Sequence, residues 1–183
     1  MKATGIVRRI DDLGRIVIPK EIRRTLRIKE GDPLEIYTDR DGEVIFKKYS
    51  PIGEMQGFAN EYATALQKAT GIPVFVCDRD AVICVSGASK KEFLEKKISK
   101  GLESIMEGRS IYVNGADGES YDVVENTGYL IGCAMPIVSE GDVIGCILTA
   151  YPSEGGRNTK ISNETEQKLI YTAGLFLGKQ VEN

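Results

Sequence analysis

Five arginines near the start of the chain, Arg8, Arg9, Arg15, Arg23 and Arg24, are the residues best equipped for chemistry, and that chemistry is recognition of a polyanion. A guanidinium is planar, stays protonated, and offers a fork of donors that fits a phosphate or a guanine edge with two parallel hydrogen bonds. Between positions 1 and 29, nine basic residues stand against three acidic ones, a balance of +6, while the whole chain carries −3. A basic segment on an acidic chain is the charge asymmetry of a module that meets nucleic acid. None of Arg8, Arg15, Arg23 and Arg24 occupies an apolar position of its predicted element, so the protein core has no use for them.

Other chemistry is poorly supplied. The chain has no histidine, which removes Ser-His-Asp and Cys-His catalysis and the usual general base near neutral pH. Cys77, Cys84, Cys133 and Cys146 fall in apolar, β-rich runs without a C-x-x-C pair or a metal-ligand spacing. They are expected to be buried, reduced thiols that behave as small hydrophobes. No catalytic residue, metal or cofactor is assigned, and the chain is not expected to be an enzyme. There is no run of about 18 apolar residues for a membrane span and no apolar signal core after Met1, so a cytoplasmic location, on the nucleoid, is expected.

The elements that must position the arginines follow from local pattern. Gly5–Ile10 and Arg15–Ile18 read as strands joined by the turn Asp11-Asp12-Leu13-Gly14, so Arg8 lies on the first strand and Arg15 opens the second. Pro19 suits a helix N-terminus, and residues 21–26 give about two turns that carry Arg23 and Arg24. Residues 34–37 and 44–47 form a hairpin across Asp39-Arg40-Asp41-Gly42. Such a unit has a meagre core by itself, and dimerisation with a shared core is the economical solution.

The charge changes sign near residue 50, where Ser50-Pro51-Ile52-Gly53 makes a joint between domains 1–52 and 53–183. In the second domain, apolar residues at spacings of 3 and 4 predict a helix over 54–70 ended by Gly71. A hairpin over 73–77 and 81–85, short helices at 89–99 and 101–107, and strands at 109–114, 120–125, 129–138 and 142–151 follow. Asn163 with Glu166 reads as a capping box for a last helix over 163–181, with its stripe on Leu169, Ala173, Phe176 and Leu177. Helix, antiparallel sheet, helix is an α+β sandwich.

The phrase from Thr4-Gly5-Ile6-Val7-Arg8 through Asp12-Leu13-Gly14-Arg15-Ile16-Val17-Ile18-Pro19-Lys20-Glu21-Ile22-Arg23-Arg24 to Gly31-Asp32 and Leu34-Glu35-Ile36-Tyr37 closely resembles the AbrB family of bacterial transition-state regulators. The resemblance covers residues 1–50. It implies a swapped-hairpin β-barrel dimer in which two chains interleave into one unit that binds double-stranded DNA. Its DNA-contacting positions fall on Arg8, Arg15, Arg23 and Arg24, with Arg9 at a further basic position. Beyond residue 50 the chain is similar to a GAF domain, which implies small-molecule sensing or assembly, an antiparallel α/β sandwich, and pairing through the terminal helices. The combination implies a regulator that tunes genes up and down. Helices 54–70 and 163–181 are candidates for joining two dimers into a tetramer.

Two other classes compete. Swapped-hairpin heads also occur in antitoxins, whose tails are short and disordered, unlike the patterned tail here. Some GAF relatives reduce free methionine sulfoxide with paired cysteines, and Cys77 and Cys84 flank one predicted hairpin. A ligand pocket is sought under the 86–108 cover, where Ser86-Gly87-Ala88-Ser89 can offer backbone N–H groups; no residue identifies the ligand.

Overall fold

The computed structural model describes residues 4–115, 118–157, 159 and 161–182, and the chain parts into two units between Tyr49 and Ser50. In the first unit, Pro19 presets the backbone for helix α1 (Lys20–Leu26), which stops where Arg27 turns left-handed at φ 53°. Strands β1 (Leu34–Thr38) and β2 (Val44–Lys48) pair antiparallel, from Leu34 opposite Lys48 to Thr38 opposite Val44. Asp39 closes the hairpin by accepting the amides of Asp41 and Glu43.

This unit has no core within one chain. Pro19 is its one buried residue among those described. Val7 is 86% exposed, Val17 73%, Leu13 68% and Ile36 61%. Apolar side chains in that number are a docking face, not a finished surface. The strands expected over 5–10 and 15–18 are absent, because a strand exists only where another backbone completes its hydrogen bonds. What the segment does form is its turn: Gly14 N–H donates to the Asp11 carbonyl and Asp11 N–H to the Arg15 carbonyl.

The second unit begins with a short helix α2 (Pro51–Glu54), capped by the Ser50 hydroxyl, and the long α3 (Gln56–Thr70), ended by left-handed Gly71. Strands β3 (Val74–Asp78), β4 (Val82–Ser86), β5 (Tyr112–Val113), β6 (Tyr129–Ser139) and β7 (Asp142–Pro152) form one sheet in the order β4-β3-β7-β6-β5, antiparallel throughout. Helices α4 (Lys90–Phe93) and α5 (Lys100–Glu107) cover one face, and α3 with α6 (Asn163–Val181) the other. This is the expected α+β sandwich.

Alternation along the strands sorts the core into two layers. Phe75, Cys77, Cys146 and Leu148 meet Phe93, Leu102 and Ile105 on the first face. Val74, Val76, Cys133 and Ile147 meet Ala59, Ala63, Ile170 and Leu177 on the second. Each large aliphatic side chain so buried stabilises the unit by about 1.5–3 kcal/mol.

Three local expectations change. The helix expected over 89–99 is the single turn α4, because Leu94 is extended, Glu95 is left-handed at φ 62°, and Lys97 bridges to Ala81. The strand at 109–114 shrinks to Tyr112–Val113, and 120–125 keeps one bridge, Asp122 to Leu130. Ser162, not Asn163, caps α6, accepting the Thr165 amide, while Glu166 turns inward.

Candidate nucleic-acid interface

All five candidate arginines are exposed, and they lie on the turn segment and on α1 of the first unit. Two of them are held. Arg15 Nε donates to Asp11 Oδ2 at 2.8 Å, and Arg23 Nε donates to the Ile18 carbonyl at 3.2 Å. In both cases the anchor is the Nε, which leaves the end-on Nη1/Nη2 edge out of these bonds. The other Asp11 oxygen, Oδ1, accepts the amides of Leu13 at 3.0 Å and Arg15 at 2.8 Å. These bonds, the Arg15 amide first and its guanidinium next, lower the Asp11 pKa below the usual carboxylate value. Sequence pattern pointed to the arginines but not to Asp11, although an acid four residues before an arginine was a visible signal.

Exposed arginines on one turn segment and one short helix are of the type that binds phosphates and reads base edges. Burial pushes the Cys84 thiol up to about 11 and Cys133 to about 12, and raises Cys77 and Cys146 still more firmly. Ser89 makes no side-chain capping bond to α4, and Phe93, Ile98 and Leu102 beneath the 86–108 cover are fully buried.

Two features of the second unit escaped the pattern reading. Glu166, 4% exposed, receives a hydrogen bond from Thr149 and pairs with Arg157. It borders a cleft of about 70 Å³ lined also by Asn114, Tyr151 and Gln167. Phe176, expected in the buried stripe, is 39% exposed and meets Phe58 and Tyr62 at ring-centroid distances of 5.9 Å and 5.4 Å on the outer side of α3 and α6.

A basic, arginine-bearing unit joined to an α+β sandwich is the make-up of a DNA-binding transcriptional regulator. Comparison with known proteins agrees. The profile of the family described as stage V sporulation protein T C-terminal, transcription factor, matches residues 54–182, and that of antidote-toxin recognition MazE, bacterial antitoxin, matches residues 7–54. Stage V sporulation protein T of Bacillus subtilis (strain 168) is 52% identical over 187 residues, spanning 100% of this chain and 99% of the relative. The transition state regulatory protein AbrB of the same organism is 65% identical over 51 residues, 28% of this chain and 52% of the relative. The solution structure of the N-terminal DNA recognition domain of that AbrB shares 65% identity over 28% of this chain and 94% of its own, with a TM-score of 0.25. The chain belongs to the stage V sporulation protein T family.

Proposed function

We propose that two chains complete one DNA-binding head and grip double-stranded DNA through Arg8, Arg9, Arg15, Arg23 and Arg24 of each. The observation that carries this reading is the pairing of exposed charge with exposed apolar surface on residues 4–49: the arginines need a polyanion, and Val7, Leu13, Val17 and Ile36 need a second copy. As a regulator of sporulation genes, the protein acts both positively and negatively on the nucleoid of the developing spore. Two dimers join into a tetramer through α3 and α6, where the Phe58–Tyr62–Phe176 aromatics lie at the surface. The second unit thereby serves assembly; the sensing of a small polar molecule is assigned to the cleft beside Arg157 and Glu166.

The test is DNA retention by the full-length chain at low and high salt, beside a fragment of residues 50–183, which keeps α2 and the buried Ile52. Tight, salt-sensitive binding by the full-length chain and none by the fragment is expected, because each phosphate contact releases counterions. An oligomeric full-length protein that binds no DNA reduces the head to a dimerisation device. An antitoxin reading has the MazE-type match of residues 7–54 behind it, but the remaining chain folds into a packed sandwich and not the disordered tail such proteins use.

A further inference from the structure

We infer that Asp11 is a positioning residue that presets Arg15 to read a base edge, so that the anchored arginines, Arg15 and Arg23, supply sequence selectivity while Arg8, Arg9 and Arg24 supply phosphate affinity. The inference rests on the DNA-binding reading above and deepens it.

Asp11 divides its two oxygens between two tasks. Oδ1 accepts the amides of Leu13 and Arg15 and so builds the turn, in which Gly14 takes a φ of +75°. Oδ2 is left for the side chain, and it accepts Arg15 Nε at 2.8 Å. The ion pair adds little to stability, since Arg15 is 69% and Asp11 37% exposed and water screens both. Its effect is geometric. An arginine gripped at Nε has lost much of its rotamer freedom before DNA arrives, and its end-on Nη1/Nη2 edge is not used by the grip. That is the edge which donates to O6 and N7 of guanine. Preorganisation lowers the ordering cost of a bond that must be made in one geometry. A phosphate makes no such demand, because it accepts from many directions. Arg23 is held the same way by the Ile18 carbonyl at 3.2 Å. No hydrogen bond to a described residue holds the side chain of Arg8, Arg9 or Arg24. The negative charge of Asp11 weakens attraction to any phosphate, a cost that better discrimination by a preset Arg15 offsets.

Asp11→Asn separates the two tasks. The carboxamide keeps an oxygen for the Leu13 and Arg15 amides and puts an N–H₂ opposite Arg15 Nε, donor against donor. Asp12→Asn removes the same charge two atoms of chain away, where Asp12 makes no hydrogen bond to a described residue, and serves as the control. Full-length protein is measured on a duplex enriched from a random pool by the unmodified protein and on calf-thymus DNA. D11N should lower the ratio of the two affinities about ten-fold, the scale of one bidentate base contact. Calf-thymus affinity and its salt slope should hold or rise, and D12N should leave the ratio alone. The Arg15 Nε–H signal, protected in the unmodified protein, should broaden in D11N, and D11N should add nothing in an Arg15→Lys background. A D11N ratio equal to that of D12N, with Arg15→Ala still losing DNA, overturns the positioning role and spares the interface. Unimpaired binding by Arg15→Ala overturns both. Equal loss on the two DNAs by D11N marks Asp11 as a turn former only.

Discussion

Cys77 and Cys84 sit on neighbouring strands of one hairpin yet belong to opposite faces of the sheet. Their register explains it: Cys84 lies across from Val76, so Cys77 is one residue out of phase and its side chain joins the other layer of the core. The residue directly across from Cys77 is Cys146, on β7. A disulfide between Cys77 and Cys84 would have to pass through the sheet, so the foothold for paired-thiol chemistry in this hairpin is gone.

Thiol titration of the native protein should therefore find all four cysteines unreactive at pH 8 and four reactive after unfolding. A fast-reacting thiol in the native state would restore the enzyme reading. The same burial sets a pH dependence. A folded-state thiol pKa raised from 9.0 to about 11 or 12 means that the unfolded chain releases its proton first. The stabilising contribution is whole below pH 9 and falls as pH climbs through 11, so the urea midpoint should drop on the alkaline side, and less so in a Cys84→Ala variant.

Arg15→Ala or Arg23→Ala should sharply weaken binding to the selected duplex, and calf-thymus binding much less, while leaving the oligomer and its melting unchanged, since both side chains are exposed and serve no packing role. The loss expected from one good bidentate contact is about 1–3 kcal/mol, and a two-fold head suffers it twice. Unchanged affinity in both variants would move the interface elsewhere.

Replacing the outward aromatics addresses assembly. Phe58→Ser with Phe176→Ser should convert tetramer to dimer in light scattering, with the sandwich still folded, because both rings are more than a third exposed in one chain. A tetramer that survives both changes would exclude this face as the joint.

Gly178 tests how closely α6 lies on the sheet. A Cβ added there would come 2.2 Å from the Val138 carbonyl oxygen. Gly178→Ala should lower stability by about 1–3 kcal/mol in urea unfolding, despite the better helix propensity of alanine. Gly57→Ala in α3, where a Cβ meets nothing within 4 Å, should be neutral or stabilising.

Glu166→Ala should cost about 2–3 kcal/mol. It leaves the three-quarters buried Arg157 guanidinium without this carboxylate, while the buried Thr149 hydroxyl keeps its bonds to Cys133; the partial exposure of Arg157 holds the figure below the usual one for a broken buried pair. A change under about 0.5 kcal/mol would mean that water replaces the carboxylate without loss.

Much of this was legible in the chain itself. The arginine cluster, the turn at Asp11–Gly14, α1 after Pro19, the β1–β2 hairpin, and the span of α3 and α6 follow from charge, turn residues and period, all of which are local. The layers of the sandwich were also implied, since β6 and β7 are long apolar runs joined at Glu140-Gly141. Where the reading went astray, a neighbour distant in sequence decided. Lys97 pairs with Ala81 and shortens α4, and Arg157 with Thr149 draws Glu166 out of a capping box and into the core.

The sequence by itself determined the class of this protein, because charge, exposure-tolerant arginines and a family phrase need no tertiary contact to be recognised. It determined the helices as well, whose hydrogen bonds close within four residues. Only the tertiary structure decided which side of a sheet each cysteine meets, which aromatic of α6 looks outward, and which oxygen of Asp11 holds Arg15. Each of those depends on register or on approach between segments, and a shift of one residue along a strand reverses the face. The segment over residues 5–18 marks the same limit, for its backbone takes the shape its partner strand completes.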